Sequence, residues 1–150
     1  MLDQFLSTFT NKIDRKGRVS VPADYRAVLA RRNSPRLVLY PAVHYLAIEG
    51  AGEDFLAELD RRIESLPPLS EERDNLVFAI KPAIRHLAFD SEGRVMLSDD
   101  LLQHAGLSEA AVFVGLGASF QIWTPERWDE RRQRALEGAR ASRARPGGRG

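Results

Sequence analysis

A short motif occurs twice in the sequence, and this internal repeat constrains the fold more than any other feature. Residues 13–21 read Ile-Asp-Arg-Lys-Gly-Arg-Val-Ser-Val, and residues 89–97, 76 positions later, read Phe-Asp-Ser-Glu-Gly-Arg-Val-Met-Leu. Both copies follow the order apolar-Asp-x-x-Gly-Arg-apolar-x-apolar, which predicts a strand, a turn at the glycine and a second strand. The repeat therefore predicts two similar halves within the 150 residues.

The two halves also share the order of their remaining predicted elements. In the first half, a helix, two short strands and an amphipathic helix are predicted at residues 22–31, 37–40, 45–48 and 53–65. In the second half, the same series is predicted at residues 98–106, 111–115, 120–123 and from 124 onward. Tyr45 then aligns with Phe120, a slip of one residue from the 76-residue offset. Each half reads β-β-α-β-β-α, which predicts the α+β class with one interleaved, pseudo-symmetric core.

On this interpretation the chain divides into four segments. A half of about 70 residues is near the lower limit of independent stability, so we expect the halves to pack on each other. Between them, Ser70 is expected to cap a helix that Pro82 ends near Ile80. From Gly138 the sequence is rich in Arg, Ala, Gly and Ser, which predicts disorder. The segments are a first repeat at 5–66, a helical connector at 67–84, a second repeat at 85–136 and a disordered Arg-rich tail at 137–150.

Several classes of site are excluded by the composition and the motifs. The chain has no cysteine, so disulfides and thiolate metal sites are impossible, and His44, His86 and His104 lack metal-ligand spacing. No apolar run approaches the ~20 residues of a membrane span, and the first residues do not read as a signal peptide. No nucleophile or phosphate-loop motif is found. We therefore expect a cytoplasmic protein that is not an enzyme and has no metal, cofactor, small-molecule substrate or membrane partner.

The net charge of +1 conceals a strong asymmetry along the chain. Residues 1–36 contain eight basic and three acidic residues, residues 37–138 contain ten and eighteen, and residues 139–150 contain four arginines and no acid. These segments carry +5, −8 and +4 respectively. Positive charge concentrated in this way predicts a local polyanion-binding face on an acidic body.

The two copies of the turn motif differ in charge. Residues 14–18 contain three basic residues and one acid, whereas residues 90–94 contain one basic residue and two acids. We interpret four shared residues as the framework of the turns: Asp14, Gly17, Asp90 and Gly93. An arginine beside such a turn can pair with the aspartate and still present its planar fork to a phosphate or a guanine edge. The more basic first copy is the better candidate for DNA contact. The candidate DNA-binding residues are Lys12, Arg15, Lys16, Arg18 and Arg94.

These residues resemble the signature of the MraZ family of bacterial transcriptional regulators. The likeness begins with residues 13–26, Ile-Asp-Arg-Lys-Gly-Arg-Val-Ser-Val-Pro-Ala-Asp-Tyr-Arg, and includes the second Asp-x-x-x-Arg motif. Residues 102–107 and 120–123 extend the likeness to roughly residues 5–136. One departure is Ser98, which stands where the first half has Pro22; both residue types start helices.

The resemblance implies both a fold and a function. It implies two tandem AbrB-like (SpoVT-AbrB) domains with swapped-hairpin topology, assembled into a ring-shaped homo-oligomer. It also implies a nucleoid-associated protein that binds direct repeats in the promoter of the cell-division and cell-wall gene cluster. DNA contacts of the family fall on the Asp-x-x-x-Arg region, which here carries over to Arg15, Lys16 and Arg18.

Two alternatives to a DNA-binding regulator stay open at this point. The chain can form a structural or partner-binding oligomer whose basic face contacts protein, or it can be an AbrB-type antitoxin that binds a toxin as well as DNA. Both repeats are intact and fused, and the tail has no apolar stretch suited to a toxin, which favours the regulator. The four tail arginines either attract phosphate or only keep the chain soluble: Arg140, Arg143, Arg145 and Arg149.

Overall fold

The computed structural model describes residues 3–144, which form an α+β fold. The strands are β1 (Thr8–Lys12), β2 (Arg18–Ser20), β3 (Arg36–Pro41), β4 (Ile48–Ala51), β5 (Arg85–Ala88), β6 (Arg94–Met96), β7 (Ala110–Gly115) and β8 (Phe120–Trp123). The helices are α1 (Ala23–Arg31), α2 (Phe55–Glu64), α3 (Glu71–Ile80), α4 (Asp99–Ala105) and α5 (Pro125–Ala144), with a 3-10 turn at Lys81–Ala83.

Strand pairing joins the two halves rather than separating them. Six strands form an antiparallel sheet in the order β1-β7-β8-β4-β3-β5, and β2 pairs with β6 in a two-stranded ribbon. The two ends of the sheet are related by the repeat: β1, β7 and β8 on one side are the counterparts of β5, β3 and β4 on the other, in mirrored order. In consequence β1 lies beside a strand of the second half, and β5 lies beside a strand of the first. The α+β prediction is confirmed, and the sheet is consistent with a two-repeat AbrB-like fold.

The main core lies between the sheet, the ribbon and helices α1 and α4. Tyr25 of α1 is fully buried at its centre, in an edge-on contact with Phe5 at a ring distance of 5.4 Å. It also contacts Phe113 and Phe120 of the second half, at 6.2 and 5.0 Å. Its hydroxyl donates a hydrogen bond of 2.7 Å to the carbonyl oxygen of Ser7, which satisfies the one polar atom of the side chain. Because both halves contribute to this cluster, neither half retains its core alone.

The opposite face of the sheet is covered by two smaller clusters. Over β7 and β8, Trp128 of α5 packs against buried Trp123 at a ring distance of 5.9 Å. Over β3, helices α2 and α3 bury Tyr40 with Leu59 and Ile80. These clusters place α5 over one half of the sheet and α3 over the other.

The predicted helix ends agree with the structure, with one difference in how a cap is made. The Ser70 hydroxyl accepts a hydrogen bond from the Arg73 N–H at the start of α3, and α3 ends at Ile80 before the expected proline. Gly106 ends α4 in the left-handed conformation. Ser98 occupies the N-cap position of α4, but its hydroxyl bonds the Asp100 carboxylate instead of a backbone N–H. The Ser98 hydroxyl therefore acts as the donor of a charge-assisted hydrogen bond and not as the acceptor that usually caps a helix N-terminus.

The strand predicted at residues 45–48 is wrong. The strand β4 begins at Ile48, because residues 42–47 form a loop that the Ala42 N–H closes by donating to the carbonyl oxygen of Ala47 at 2.9 Å. Tyr45 and Leu46 are exposed in this loop. The corresponding loop of the second half, residues 116–119, is two residues shorter. The strands after these loops therefore begin 72 positions apart, at Ile48 and Phe120, and the predicted one-residue slip is also wrong.

The prediction of a disordered tail from residue 137 is wrong for residues 137–144. Helix α5 continues through Gly138 to Ala144. The composition that suggested disorder is rich in Ala and Arg, which are both strong helix formers, and a single interior glycine costs only about 1 kcal/mol. The rest of the predicted tail, residues 145–150, lies outside the described residues.

Candidate nucleic-acid interface

The ribbon of β2 and β6 brings the two copies of the turn motif together. Val19 pairs with Val95, and both side chains are buried against the core. Because side chains alternate along a strand, the residues on either side point away from the core. Arg18 is opposite Met96, and Arg94 is opposite Ser20. The outer face of the ribbon therefore presents one arginine from each half.

The first turn (residues 14–18) is organised by the carboxylate of Asp14. Asp14 Oδ1 accepts hydrogen bonds from the N–H groups of Lys16 at 2.9 Å and Arg18 at 2.8 Å. Asp14 Oδ2 accepts a 2.7 Å hydrogen bond from Arg18 Nε, which is also an ion pair. The Gly17 N–H donates to the Asp14 carbonyl oxygen at 3.0 Å and closes the turn. The carboxylate thus caps the turn and fixes the guanidinium with the same set of bonds.

The second turn (residues 90–94) repeats this geometry. Asp90 Oδ1 accepts from the N–H groups of Glu92 at 2.8 Å and Arg94 at 2.9 Å, and Asp90 Oδ2 accepts from Arg94 Nε at 2.9 Å. The Gly93 N–H donates to the Asp90 carbonyl oxygen at 3.0 Å. The difference lies in the charges around it, because Arg94 also has the Glu92 carboxylate 3.8 Å away.

These hydrogen bonds lower the pKa of both turn aspartates. For Asp14 the largest cause is the backbone N–H of Arg18, and for Asp90 it is the backbone N–H of Arg94. Donors aimed at a carboxylate favour its charged form. Both aspartates are therefore anionic at neutral pH and hold their arginines as charged partners.

Each turn is also bonded to the other half of the molecule. The Gly17 carbonyl oxygen accepts a 2.8 Å hydrogen bond from the Leu97 N–H, and the Gly93 carbonyl oxygen accepts one of 3.1 Å from the Val21 N–H. Both glycines have positive φ, +86° at Gly17 and +76° at Gly93, a conformation that other residues resist. The relative position of the two turns is therefore set by backbone bonds and not by flexible side chains.

The basic residues of the first turn are available for an external partner. Arg15 and Lys16 are exposed at its tip, and Lys12 is exposed on the neighbouring strand β1. Within residues 3–144, none of these three has a carboxylate within salt-bridge distance. The Asn11 side chain donates to the Ser20 carbonyl oxygen at 2.8 Å and ties β1 to the ribbon. Lys12 thus belongs to the same surface as the first turn.

Arg26 is a further basic residue at the ribbon, and no motif in the sequence indicated it. Its guanidinium lies over the second turn, where a Cβ added to Gly93 would be 2.8 Å from Arg26 Cζ. Its Nε donates to the Val21 carbonyl oxygen at 3.1 Å. At the same position of the other repeat, Leu102 lies over Gly17. Alignment of the two repeats at their 76-residue offset places Arg26 opposite Leu102, and this difference in charge is the sequence signal that points to Arg26. Arg26 places a positive charge beside the acidic second turn.

The described residues contain no candidate metal site. Among residues 3–144 there is no group of three or more His, Asp or Glu side chains arranged to hold a metal ion. In the same part of the chain, none of the helices has the length and apolar character needed to cross a bilayer. What the ribbon can do chemically is to bind anions, through cations held on a rigid backbone support.

Fold and ribbon together define an internally duplicated α+β protein with one basic and one acidic turn on a shared face. The family model described as "MraZ protein, putative antitoxin-like" matches residues 84–146. The chain is 45% identical over 129 residues to the transcriptional regulator MraZ of Rickettsia canadensis, covering 86% of this chain and 87% of the relative.

Two further relatives carry the same name. That of Xanthobacter autotrophicus is 44% identical over 126 residues, with 84% of this chain and 80% of the relative covered. That of Pelagibacter ubique is 41% identical over 140 residues, with 93% and 90% covered. The chain belongs to the MraZ family, as its resemblance implied. The relatives are named as transcriptional regulators and not as enzymes.

Proposed function

We propose that this protein is a sequence-specific DNA-binding regulator of transcription that contacts DNA mainly through the first turn. The observation that carries the proposal is the pair of exposed cations Arg15 and Lys16 on a turn whose backbone is fixed by Asp14. Their charges are not neutralised by a carboxylate in the described chain. Phosphate neutralisation supplies most of the affinity of DNA-binding proteins, and this turn is suited to it.

Arg18 is suited to reading a base edge or clamping a phosphate. Its Nε is held by Asp14, whereas its Nη nitrogens have no hydrogen bond within residues 3–144. Its side chain is 34% exposed on the outer face of the ribbon. A guanidinium fixed at one nitrogen loses little further freedom when the other nitrogens bind, which favours a specific contact. Lys12 adds a phosphate contact beside it.

The second turn has a supporting role in this proposal. Arg94 is paired with Asp90 and close to Glu92, so its charge is more fully compensated than that of Arg18. Arg26 reduces the negative charge of this turn and keeps the shared face from repelling a phosphate backbone. Arg94 then contributes a weaker DNA contact than its counterpart.

The assembly and the target follow from the family resemblance and belong to the same proposal. A ring-shaped homo-oligomer of two-repeat chains, with repeats at 5–66 and 85–136 joined by 67–84, would present many first turns at once. Direct repeats in the promoter of the cell-division and cell-wall gene cluster would bind several of them, so that avidity adds to a weak single contact. Such a regulator acts in the cytoplasm, at the nucleoid.

A matched pair of variants tests the assignment of the first turn. Lys16 and Glu92 occupy the same position of the two turns, so Lys16→Ala and Glu92→Ala make the same structural change with opposite effects on charge. Binding to a duplex that carries one repeat from the promoter of the protein's own gene is measured by fluorescence anisotropy across a salt series. Lys16→Ala is expected to weaken binding about tenfold and to reduce the salt slope by about 1 per bound protomer. Glu92→Ala is expected to bind as well as the wild type or better.

The variant Arg18→Ala extends the test to specificity. It is expected to abolish promoter binding while the oligomer persists, because Arg18 bonds within its own turn. Wild-type affinity in a folded Arg18→Ala protein would overturn the site assignment. Equal losses in Lys16→Ala and Glu92→Ala would show that the charge difference between the turns has no role.

The family model is described as antitoxin-like, so the antitoxin function needs to be tested beside the regulator function. In the last turns of α5, residues 137–142 are exposed and have no large apolar side chain that a toxin could bury. A pull-down with the purified protein, analysed for both DNA and protein, separates the three functions. Enrichment of promoter DNA alone favours the regulator, co-purification of a stoichiometric toxin favours the antitoxin, and protein without DNA favours a partner-binding oligomer.

A further inference from the structure

Helix α3 exposes two large apolar side chains that nothing in the described chain covers. Leu69 is 98% exposed and Phe78 is 73% exposed, and no large apolar side chain within residues 3–144 is more exposed. The inner face of the helix is occupied by Leu76 and Ile80, which pack on the sheet. Glu71 and Asp74 share the outer face with Phe78, at helical spacing. We call Leu69, Glu71, Asp74 and Phe78 the α3 surface.

The backbone at Leu69 points to a role for its exposure. Leu69 has a φ of +65°, a left-handed conformation that is unfavourable for a branched side chain. It follows Pro67 and Pro68 and directly precedes Ser70, the cap of α3. An exposed apolar side chain on a residue with a strained backbone conformation makes no contact that would stabilise its own chain. Such an outlier is expected where a side chain serves an interaction.

A groove of about 550 Å³ lies between the β3–β4 loop and helix α5. Its aromatic wall consists of Tyr45 and Trp123, whose rings are 5.5 Å apart. Arg131 lies over the Tyr45 ring, with Cζ 5.6 Å from its centroid. Leu46, which is 52% exposed, and Arg134 also line the groove. Its border further includes His44, Arg127 and Glu130. We call Tyr45, Leu46, Trp123, Arg131 and Arg134 the α5 groove.

We propose that the α3 surface of one copy of this chain docks into the α5 groove of the next copy. Charge favours this occupant, because the first turn of α3 has three acids and the groove is bordered by three arginines and one glutamate. Exposed apolar surface favours it too, since Phe78 is 73% exposed on the α3 surface and Leu46 is 52% exposed in the groove. The inference rests on the proposed homo-oligomer and assigns the surfaces that build it.

The proposed contact is heterologous, which determines the type of assembly. The α3 surface and the α5 groove lie over different halves of the sheet, so each copy has one of each to offer. A contact between unlike surfaces passes from copy to copy and closes into a ring when the rotation permits. Glu71 and Asp74 then pair with Arg131 and Arg134 around an apolar centre, which is the usual arrangement of an interface.

Two variants that each destroy one surface test this proposal. Phe78→Asp changes the α3 surface and Leu46→Asp changes the α5 groove, while Leu116→Asp serves as control because Leu116 is 53% exposed and lies outside both. Masses are measured by light scattering after size exclusion, with thermal melts to verify folding. Phe78→Asp and Leu46→Asp are each expected to be monomeric, and Leu116→Asp is expected to keep the wild-type mass.

A mixture of the two monomeric variants gives the decisive result. Phe78→Asp retains an intact groove and Leu46→Asp retains an intact α3 surface, so a 1:1 mixture is expected to form dimers and nothing larger. A mixture that stays monomeric overturns the proposal. So does dimerisation of either variant alone, which would indicate a contact between like surfaces, or a wild-type mass for either variant.

Because the chain has no cysteine, disulfide trapping provides a second measurement in an otherwise unmodified protein. The double variant Leu69→Cys with Leu46→Cys is expected to form oligomers linked between copies on oxidation, whereas Leu116→Cys with Leu46→Cys is expected to form none. Failure to cross-link overturns the docking. DNA binding by the Lys16 and Glu92 variants is measured separately on a single site, so failure of the interface and failure of the proposed function are distinguishable.

Discussion

At the scale of single residues, Asp14 and Asp90 each connect three other groups of their turn. Each carboxylate accepts two backbone N–H groups and one arginine Nε. The pKa of both is lowered, first by the N–H of the arginine four positions on. A lowered pKa in the folded state means that the charged carboxylate stabilises the fold.

This linkage predicts a loss of stability in acid. The stabilisation from Asp14 and Asp90 is fully present above the unfolded pKa, near 3.8, and is lost as the pH falls through the lower folded pKa. Urea unfolding midpoints are expected to fall from about pH 5 downward. In the double variant Asp14→Asn with Asp90→Asn, the midpoint at pH 7 should be lower and its decline in acid smaller. Asp24→Asn, an exposed carboxylate outside the turns, is the control; an unchanged decline in the double variant would contradict the linkage.

The two turn glycines provide a matched pair of substitutions. Both have positive φ, so alanine costs about 1–2 kcal/mol at either position. At Gly17 the new Cβ would also lie 2.9 Å from the backbone oxygen of Leu97, whereas at Gly93 it would meet the guanidinium end of the Arg26 side chain, which can shift more readily than backbone. We therefore expect Gly17→Ala to lower the free energy of unfolding by about 1 kcal/mol more than Gly93→Ala. Urea denaturation measures both, and the reverse order would show that the Arg26 side chain yields less readily than the backbone at Leu97.

At the scale of elements, the sequence predicted most helices and strands but not the partners of the strands. The motif residues define the turns, and Gly106 ends α4 as expected, because these signals are local. The pairing of β1 is not local: Thr8 lies opposite Val114, although β2 is the nearer partner in sequence. Burial of apolar side chains from both halves decides this arrangement.

The errors of prediction also have physical causes. The apolar run at residues 45–48 resembled a strand, yet Tyr45 and Leu46 are exposed in a loop where they line the α5 groove. The composition after Gly138 resembled disorder, yet its alanines and arginines continue α5. Arg26 went unnoticed because an arginine on a helix has no distinguishing pattern in one sequence; only its place over Gly93 reveals it.

The end of α5 is expected to contribute little to the free energy of unfolding of the rest of the protein. The side chains of residues 137–142 are exposed, and nothing lies within 4 Å of the position that a Cβ at Gly138 would take. Deletion of residues 139–150 should change the free energy of unfolding by less than about 0.5 kcal/mol. Far-UV circular dichroism should show less helix in the deletion variant than in the full-length protein. A larger loss of stability would mean that this part of the helix packs against the chain.

At the scale of the whole molecule, the proposed DNA contact and the proposed contact between copies occupy different surfaces. The ribbon lies on the core side of the sheet with α1 and α4, whereas α3 and α5 cover the opposite side. A change at one surface should therefore leave the other intact. Affinity for repeated sites then depends on two separable quantities, the strength of one turn and the number of turns that bind together.

This separation predicts how affinity depends on the number of DNA repeats. For the wild type, affinity is expected to rise by about 100-fold or more from a one-repeat to a three-repeat duplex, because the later contacts are intramolecular. For monomeric Phe78→Asp, the affinity per repeat should be the same on both duplexes and close to the wild-type value on one repeat. Lys16→Ala should show a different defect: it should already bind more weakly than the wild type on one repeat and lose still more on three, because every contact is weakened. Anisotropy titrations with all three proteins measure this, and a steep rise in the Phe78→Asp monomer would show that neighbouring chains cooperate through the DNA and not through the α5 groove.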